Sequence, residues 1–158
     1  MNIKYFYFID EFNKIEIEKL STQISLIYRN YDKKSDPREL KRLVIYCRNN
    51  RRKVYISNNL KDAIKYNFDG LYIPSFHKQL RFKNITKKKL EIIGSAHNAI
   101  ELIIKEKQGC TYIFLSPIFK NNKNKKFLDV IKTNLLKNLT KNRIVLLGGI
   151  NSKTLKRS

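Results

Sequence analysis

Short stretches that are apolar at almost every position alternate with helix-patterned stretches along this whole sequence, and few folds accommodate that arrangement. "IKYFYFI", "ISLIYRN", "KVYIS", "GLYIPS", "EIIGSA", "TYIFLSPIF" and "RIVLLGG" read as strands. A strand with one wet face alternates apolar and polar residues, whereas a strand covered on both faces does not. Between them lie "DEFNKIEIEKLSTQ", "SDPRELKRLVIYCRNN", "NLKDAIKYN", "NAIELIIKEKQG" and "KKFLDVIKTNLLKNL", which read as helices. The second has the clearest start: Asp36 is a good N-cap, Pro37 suits the first helical position, and Leu40, Leu43 and Val44 recur at helical spacing. Gly109 closes the fourth. The stretch "FHKQLRFKNITKKKL" stays open between a poor helix and a loop. The alternation predicts an α/β fold with a parallel sheet covered on both faces, either an open doubly wound sheet or a (β/α)8 TIM barrel, the latter with about seven strands in sequential order. Both place functional residues just after the C-terminal ends of the strands.

Length and charge narrow the classes of function. The 158 residues can bury one sizeable core, so a single domain over 1–158 is expected. The formal net charge of +21 suggests nucleic acid at first sight. However, the basic residues are spread over every helix and loop, with no recognition helix and no aromatic RNA-binding motif. An excess of Lys together with Asn, Ile, Tyr and Phe is what A/T-rich codons encode, so nucleic acid is disfavoured as a partner. Cys47 and Cys110 stand far apart with no CxxC pair, which argues against a disulfide framework or structural zinc. The first residues lack the basic and long apolar regions of a signal peptide, and no segment approaches the ~20 apolar residues of a membrane span. A cytoplasmic, membrane-free protein is expected.

The stretches after the strands are "YRN", "SNN", "PSFH", "SAHN", "SPIFKNNKNK" and "GGIN", so polar, basic and glycine chemistry gathers at one set of strand ends. In that order they resemble the thiamine phosphate synthase and thiazole tautomerase (TenI) family of (β/α)8 barrels, from about Ile3 to Ile150. Tyr28-Arg29-Asn30 resembles the family's Gln-Tyr-Arg-Asp-Lys, and "IIGSAHN" its Ile-Gly-x-Ser-x-His. "YIFLSPIF" and "IVLLGGI" are similar to its Tyr-Ile-Gly-x-Gly-Pro-Ile-Phe and Val-x-Ala-Ile-Gly-Gly-Ile.

The resemblance implies a transferase that couples hydroxymethylpyrimidine diphosphate to thiazole phosphate with release of pyrophosphate. Its substrates are small anions, and a homo-oligomer is one arrangement open to it. Arg29 matches the family's diphosphate-binding arginine, and Ser95 the serine after strand five, although a helix cap is an equal reading of Ser95. The resemblance implies Arg29, Asn58, Ser95, Lys123, Lys125, Gly148 and Gly149 as substrate and phosphate contacts, with Arg29, Ser95 and His97 as the catalytic candidates. The departures are as informative. Asn58 and His77 stand where the family carries its Mg2+ carboxylates, so magnesium should be weakened, with Asn58 the remaining metal candidate. His97 falls where the tautomerase branch places its catalytic histidine, giving an alternative metal-free proton transfer. A degenerate, non-catalytic phosphate-binding homologue is the third reading. No eighth strand follows Gly149, so a barrel of about seven strands, lacking its last βα unit, is expected.

Overall fold

The computed structural model describes residues 4–31, 35–80, 82, 90–118 and 127–147. The chain divides into two compact units, Met1–Tyr72 and Ile73–Ser158. The first contains β1 (Tyr5–Ile9), α1 (Lys14–Glu18), β2 (Ile24–Tyr28), α2 (Pro37–Asn49), β3 (Val54–Ser57), α3 (Leu60–Lys65) and all of β4 (Gly70–Ile73) but its last residue. Strands β1 to β4 pair in sequence order and in parallel, with Phe8 beside Ile27, Ile27 beside Tyr55 and Tyr55 beside Gly70. Because residues paired in this way share a face and neighbours along a strand alternate, Phe6, Phe8, Ile27 and Tyr55 lie on one side. Leu26, Tyr28, Val54 and Ile56 lie on the other. The second side faces the helices: the Tyr28 hydroxyl donates to Glu39 Oε2 of α2.

Helix α2 begins as its residues require. The Asp36 side chain accepts from the Arg38 N–H at 2.9 Å, Pro37 is the first helical residue, and Leu40, Leu43, Val44 and Cys47 form the buried stripe. Helix α1 is far shorter than its polar pattern suggests. Asn13 caps it through the Glu16 N–H, and the chain turns out at Lys19 and Leu20, so only Ile17 is buried. A helix with one buried residue has little tertiary packing to extend it.

The second unit contains β5 (Glu91–Ala96), α4 (Ala99–Lys107), β6 (Tyr112–Leu115), α5 (Asp129–Asn138) and β7 (Arg143–Leu146). Its strands are again parallel and sequential, with Ser95 beside Phe114 and Phe114 beside Val145. Helix α4 ends at Gln108, and Gly109 follows with φ 80°, a conformation that explains the glycine. Of the stretch 76–90, residues 81 and 83–89 lie outside the described residues, and 77–80 carry neither helix nor strand.

Gly94 sits in the middle of β5, where a Cβ would approach Lys105 Cδ at 2.9 Å, Cys110 Sγ at 3.0 Å and the Ile73 carbonyl oxygen at 3.0 Å. The backbone oxygen cannot swing aside. Gly94→Ala is therefore expected to cost about 1–3 kcal/mol, the usual range for overpacking. A urea titration showing an unchanged midpoint would contradict the packing described.

Candidate active site

At the C-terminal ends of β1 to β3, Arg29 is the first residue after β2, held by its N–H to the Ile9 carbonyl at 2.7 Å. By strand alternation it projects on the side opposite Tyr28, over aromatic surface. Its guanidinium carbon lies 4.4 Å from the Phe8 ring centre and 5.9 Å from that of Tyr31. The Phe8 ring in turn meets Tyr72 edge-on at 5.3 Å. Among the described residues no carboxylate pairs with Arg29, and the residue is exposed. Its guanidinium lies over the rings, and no described carboxylate takes up its fork, which suits an anion. The Tyr31 hydroxyl and Ser57 Oγ are 3.0 Å apart, joining the segment after β2 to the last residue of β3. Tyr31 departs from the lysine of the family motif, and sequence reasoning gave it no role; the structure shows it bracing the Arg29 rim.

Asn58 has φ 54°, and its N–H donates to the Tyr72 carbonyl at 2.9 Å. Asparagine tolerates this left-handed conformation better than most residues, so the turn itself accounts for part of its presence. Asn59 caps α3, accepting from the Asp62 N–H and donating to its carboxylate.

In the second unit, Ser95 is the penultimate residue of β5 and is buried. The helix-cap reading of Ser95 is overturned: the cap of α4 is Asn98, whose side chain accepts from the Glu101 N–H at 3.0 Å. The reason is spacing, since Ser95 is still paired in the strand when the helix starts. Gly94 faces α4, so Ser95 faces the opposite side.

His97 is exposed and is fixed from two directions. Its backbone N–H donates to Glu101 Oε2 at 2.7 Å, and its Nδ1 is hydrogen-bonded to the Ser116 carbonyl. A carbonyl only accepts, so Nδ1 carries the proton in the neutral ring and Nε2 keeps its lone pair. Ser116 Oγ lies 3.4 Å from the same nitrogen. Neither Glu101 nor Ser116 was singled out by sequence; the Asn-x-x-Glu spacing of 98–101, a capping pattern, was the available signal for the first.

The segment after β4 is pinned by two fully buried polar residues, Lys105 of α4 and Gln108, which caps it. Lys105 Nζ donates to the carbonyls of Pro74 and His77, each at 2.8 Å, and to Gln108 Oε1 at 2.9 Å. Gln108 Nε2 donates to the carbonyls of His77 and Gln79. Burial pushes the Lys105 ammonium down to about 8, against a smaller upward pull from the nearby Cys110 and Glu101. His77 itself stacks edge-on against Phe82 at 5.1 Å. Lys123, Lys125, Gly148 and Gly149 lie outside the described residues.

Magnesium prefers several hard, mostly anionic oxygens. Asn58 offers a neutral amide and His77 an imidazole, and among the described residues no group of three or more His, Cys, Asp or Glu side chains is placed to hold a metal. The described donor set therefore does not fit that ion.

The family profile TMP-TENI, thiamine monophosphate synthase, matches residues 17–157. The chain belongs to the thiamine monophosphate synthase family. Among solved structures it is similar to the thiamine phosphate pyrophosphorylase from Pyrococcus furiosus, with TM-score 0.71 at 17% identity, covering 96% of this chain and 78% of that one. It is also similar to a U32 peptidase, with TM-score 0.65 at 8% identity, covering 95% of this chain and 70% of that one. No curated sequence matches it. At these identities the likeness shows the fold alone: the α/β fold of a (β/α)8 TIM barrel, of which the described residues hold seven parallel strands. The sequential pairing of β1 with β2, β2 with β3 and β3 with β4 excludes the doubly wound alternative, whose order reverses at a switch point. As a member of this family the chain is a thiamine phosphate synthase-like protein of thiamine biosynthesis. No helix among the described residues is long and apolar enough to cross a membrane.

Proposed function

We propose that this family member acts on phosphorylated thiamine precursors, and that the reaction its side chains favour most is a metal-free proton transfer by His97 on a thiazole carboxylate phosphate. The orientation of His97 carries this reading. With Nδ1–H committed to the Ser116 carbonyl, Nε2 is the lone pair that takes a proton from a ring carbon, and the resulting imidazolium returns one to the ring nitrogen. Glu101 holds the turn that bears it. The proton is the only thing moved, so neither oxidant nor metal is required. Ser95, in the same unit as His97, is then the group that would receive the ring, and the family resemblance implies Lys123, Lys125, Gly148 and Gly149, which lie outside the described residues, as the phosphate contacts.

A second reading is coupling of pyrimidine diphosphate to thiazole phosphate. It is favoured by Arg29, an exposed guanidinium on aromatic faces suited to a diphosphate beside a flat ring. Thiazole isomerisation and thiamine phosphate formation are followed on the purified chain, with chelator and with magnesium. Isomerisation indifferent to chelator, falling about 10²–10⁴-fold in His97→Asn at unchanged melting temperature, is the expected result. Thiamine phosphate formed only with magnesium supports the coupling reading instead, and no turnover of either kind supports the non-catalytic homologue.

A further inference from the structure

A second concentration of charge lies at the other end of the same strands. Arg29 follows β2, and Ser57 ends β3 with Asn58 after it, whereas Lys53 and Asp69 immediately precede β3 and β4. The four residues of β3 separate the two ends by roughly 13 Å at the ordinary strand rise. There a cavity of about 240 Å³ is lined by Arg48, Arg51, Arg52, Lys53, Asn67 and Asp69. Four basic residues and one acidic residue line it, and the Asp69 carboxylate is already engaged, accepting from the Val54 N–H at 2.9 Å.

The walls of this cavity are built rather than incidental. Arg52 is only 4% exposed. Its guanidinium donates to the carbonyls of Ile24 and Leu20, each at 2.9 Å, and to that of Ile17 at 3.5 Å. Its buried Nε–H has no acceptor. Three neutral carbonyls orient the charge without cancelling it. Arg51 and Asn67 terminate α2 and α3 in the left-handed region, with φ 52° and 57°. Glycine is the usual residue at such a position, and an arginine there accepts backbone strain while placing a cation at the mouth. Among the described residues neither Arg48 nor Arg51 has a carboxylate partner.

We propose that this cavity binds a small phosphate-type dianion, at a site separate from the rim that carries Arg29. The volume lies below that of a pocket for a drug-sized ligand. Guanidinium groups match phosphate oxygens in pairs, and among the described residues no carboxylate offsets Arg48 or Arg51.

The test is an amide-resolved NMR titration of the full chain with inorganic phosphate, at ionic strength held constant with chloride. Saturable shifts are expected at Arg51, Asn67 and Asp69. In the variant Arg48→Gln/Arg51→Gly the dissociation constant read there should rise at least tenfold, while the responses of Ser57 and Tyr31 are unaltered. Arg29→Ala should do the reverse, so failure of this site and failure of the proposed rim chemistry are distinguishable. Arg51→Gly suits the left-handed φ, so the melting temperature should hold or rise, and lost binding cannot be attributed to unfolding. Shifts reproduced by chloride alone, or unchanged in the double variant, would overturn the proposal. So would a short oligonucleotide that displaces phosphate and loses affinity steeply with salt, because the surface would then be a polynucleotide site.

Discussion

Lys105→Met is expected to lower the unfolding free energy by roughly 2–6 kcal/mol, the sum of two buried acceptors left unmet at about 1–3 kcal/mol each. Methionine fills much of the same volume but offers no donor. The carbonyls of Pro74 and His77 and the Gln108 side-chain oxygen would all lose the Nζ that lies within 2.9 Å of them. Gln108 still reaches the His77 carbonyl, at 2.8 Å, so the Pro74 carbonyl and the Gln108 oxygen bear most of the loss. The effect should extend beyond global stability, because the amides of 75–79 should exchange faster with solvent. Urea titration combined with hydrogen exchange reads both. A cost below about 1 kcal/mol would mean that water replaces the ammonium and that the clamp is not what orders this segment.

Alkaline destabilisation is the second large effect, and its sign follows from which groups lose protons first. Burial pushes the Cys47 and Cys110 thiols up to about 12, with neighbouring cations lowering them only in part. Burial and the adjacent Glu39 carboxylate raise the Tyr28 hydroxyl to about 12. From about pH 9 for the thiols and pH 10 for Tyr28 the unfolded chain releases these protons while the folded chain retains them. Stability then falls with rising pH, by about 1.4 kcal/mol per pH unit for each group. Lys105 acts in the opposite sense: between about pH 8 and 10.5 the folded state has released a proton that the unfolded state still binds, which raises stability. The balance predicts a gentle gain from pH 8 to 9, a decline above it, and a steep decline beyond pH 10.5. Denaturant midpoints across this range check it, and Cys47→Ala should flatten the decline. A midpoint independent of pH up to 11 would show that the thiols are reached by solvent.

How much of the molecule was legible in the chain depended on whether the cause was local. The strands were, since "EIIGSA" is β5 residue for residue and the rest differ only at their ends. The start of α2 was equally legible, because Asp36 and Pro37 act within one turn of where they stand. Helix α1 was not: its polar pattern runs on, but its length is set by how little of it finds a surface to pack against. The Ser95 cap failed because the strand keeps that residue paired, and Asn98, three residues later, was the better cap.

The sequence by itself determined the α/β class, the parallel alternation and the placement of Arg29, Ser95 and His97 at strand ends, because apolar periodicity and caps are properties of neighbouring residues. Only the tertiary structure decided which nitrogen of His97 keeps its lone pair, since Ser116 is nineteen residues away. It also decided that Lys105 is an internal clamp, although the residue reads in sequence as one more surface lysine in a chain of net charge +21. The same holds for Arg52, whose acceptors lie 28 to 35 residues earlier. A cation's role depends on which carbonyls or carboxylates fold onto it, and those partners are set by contacts between distant segments, which no local pattern encodes.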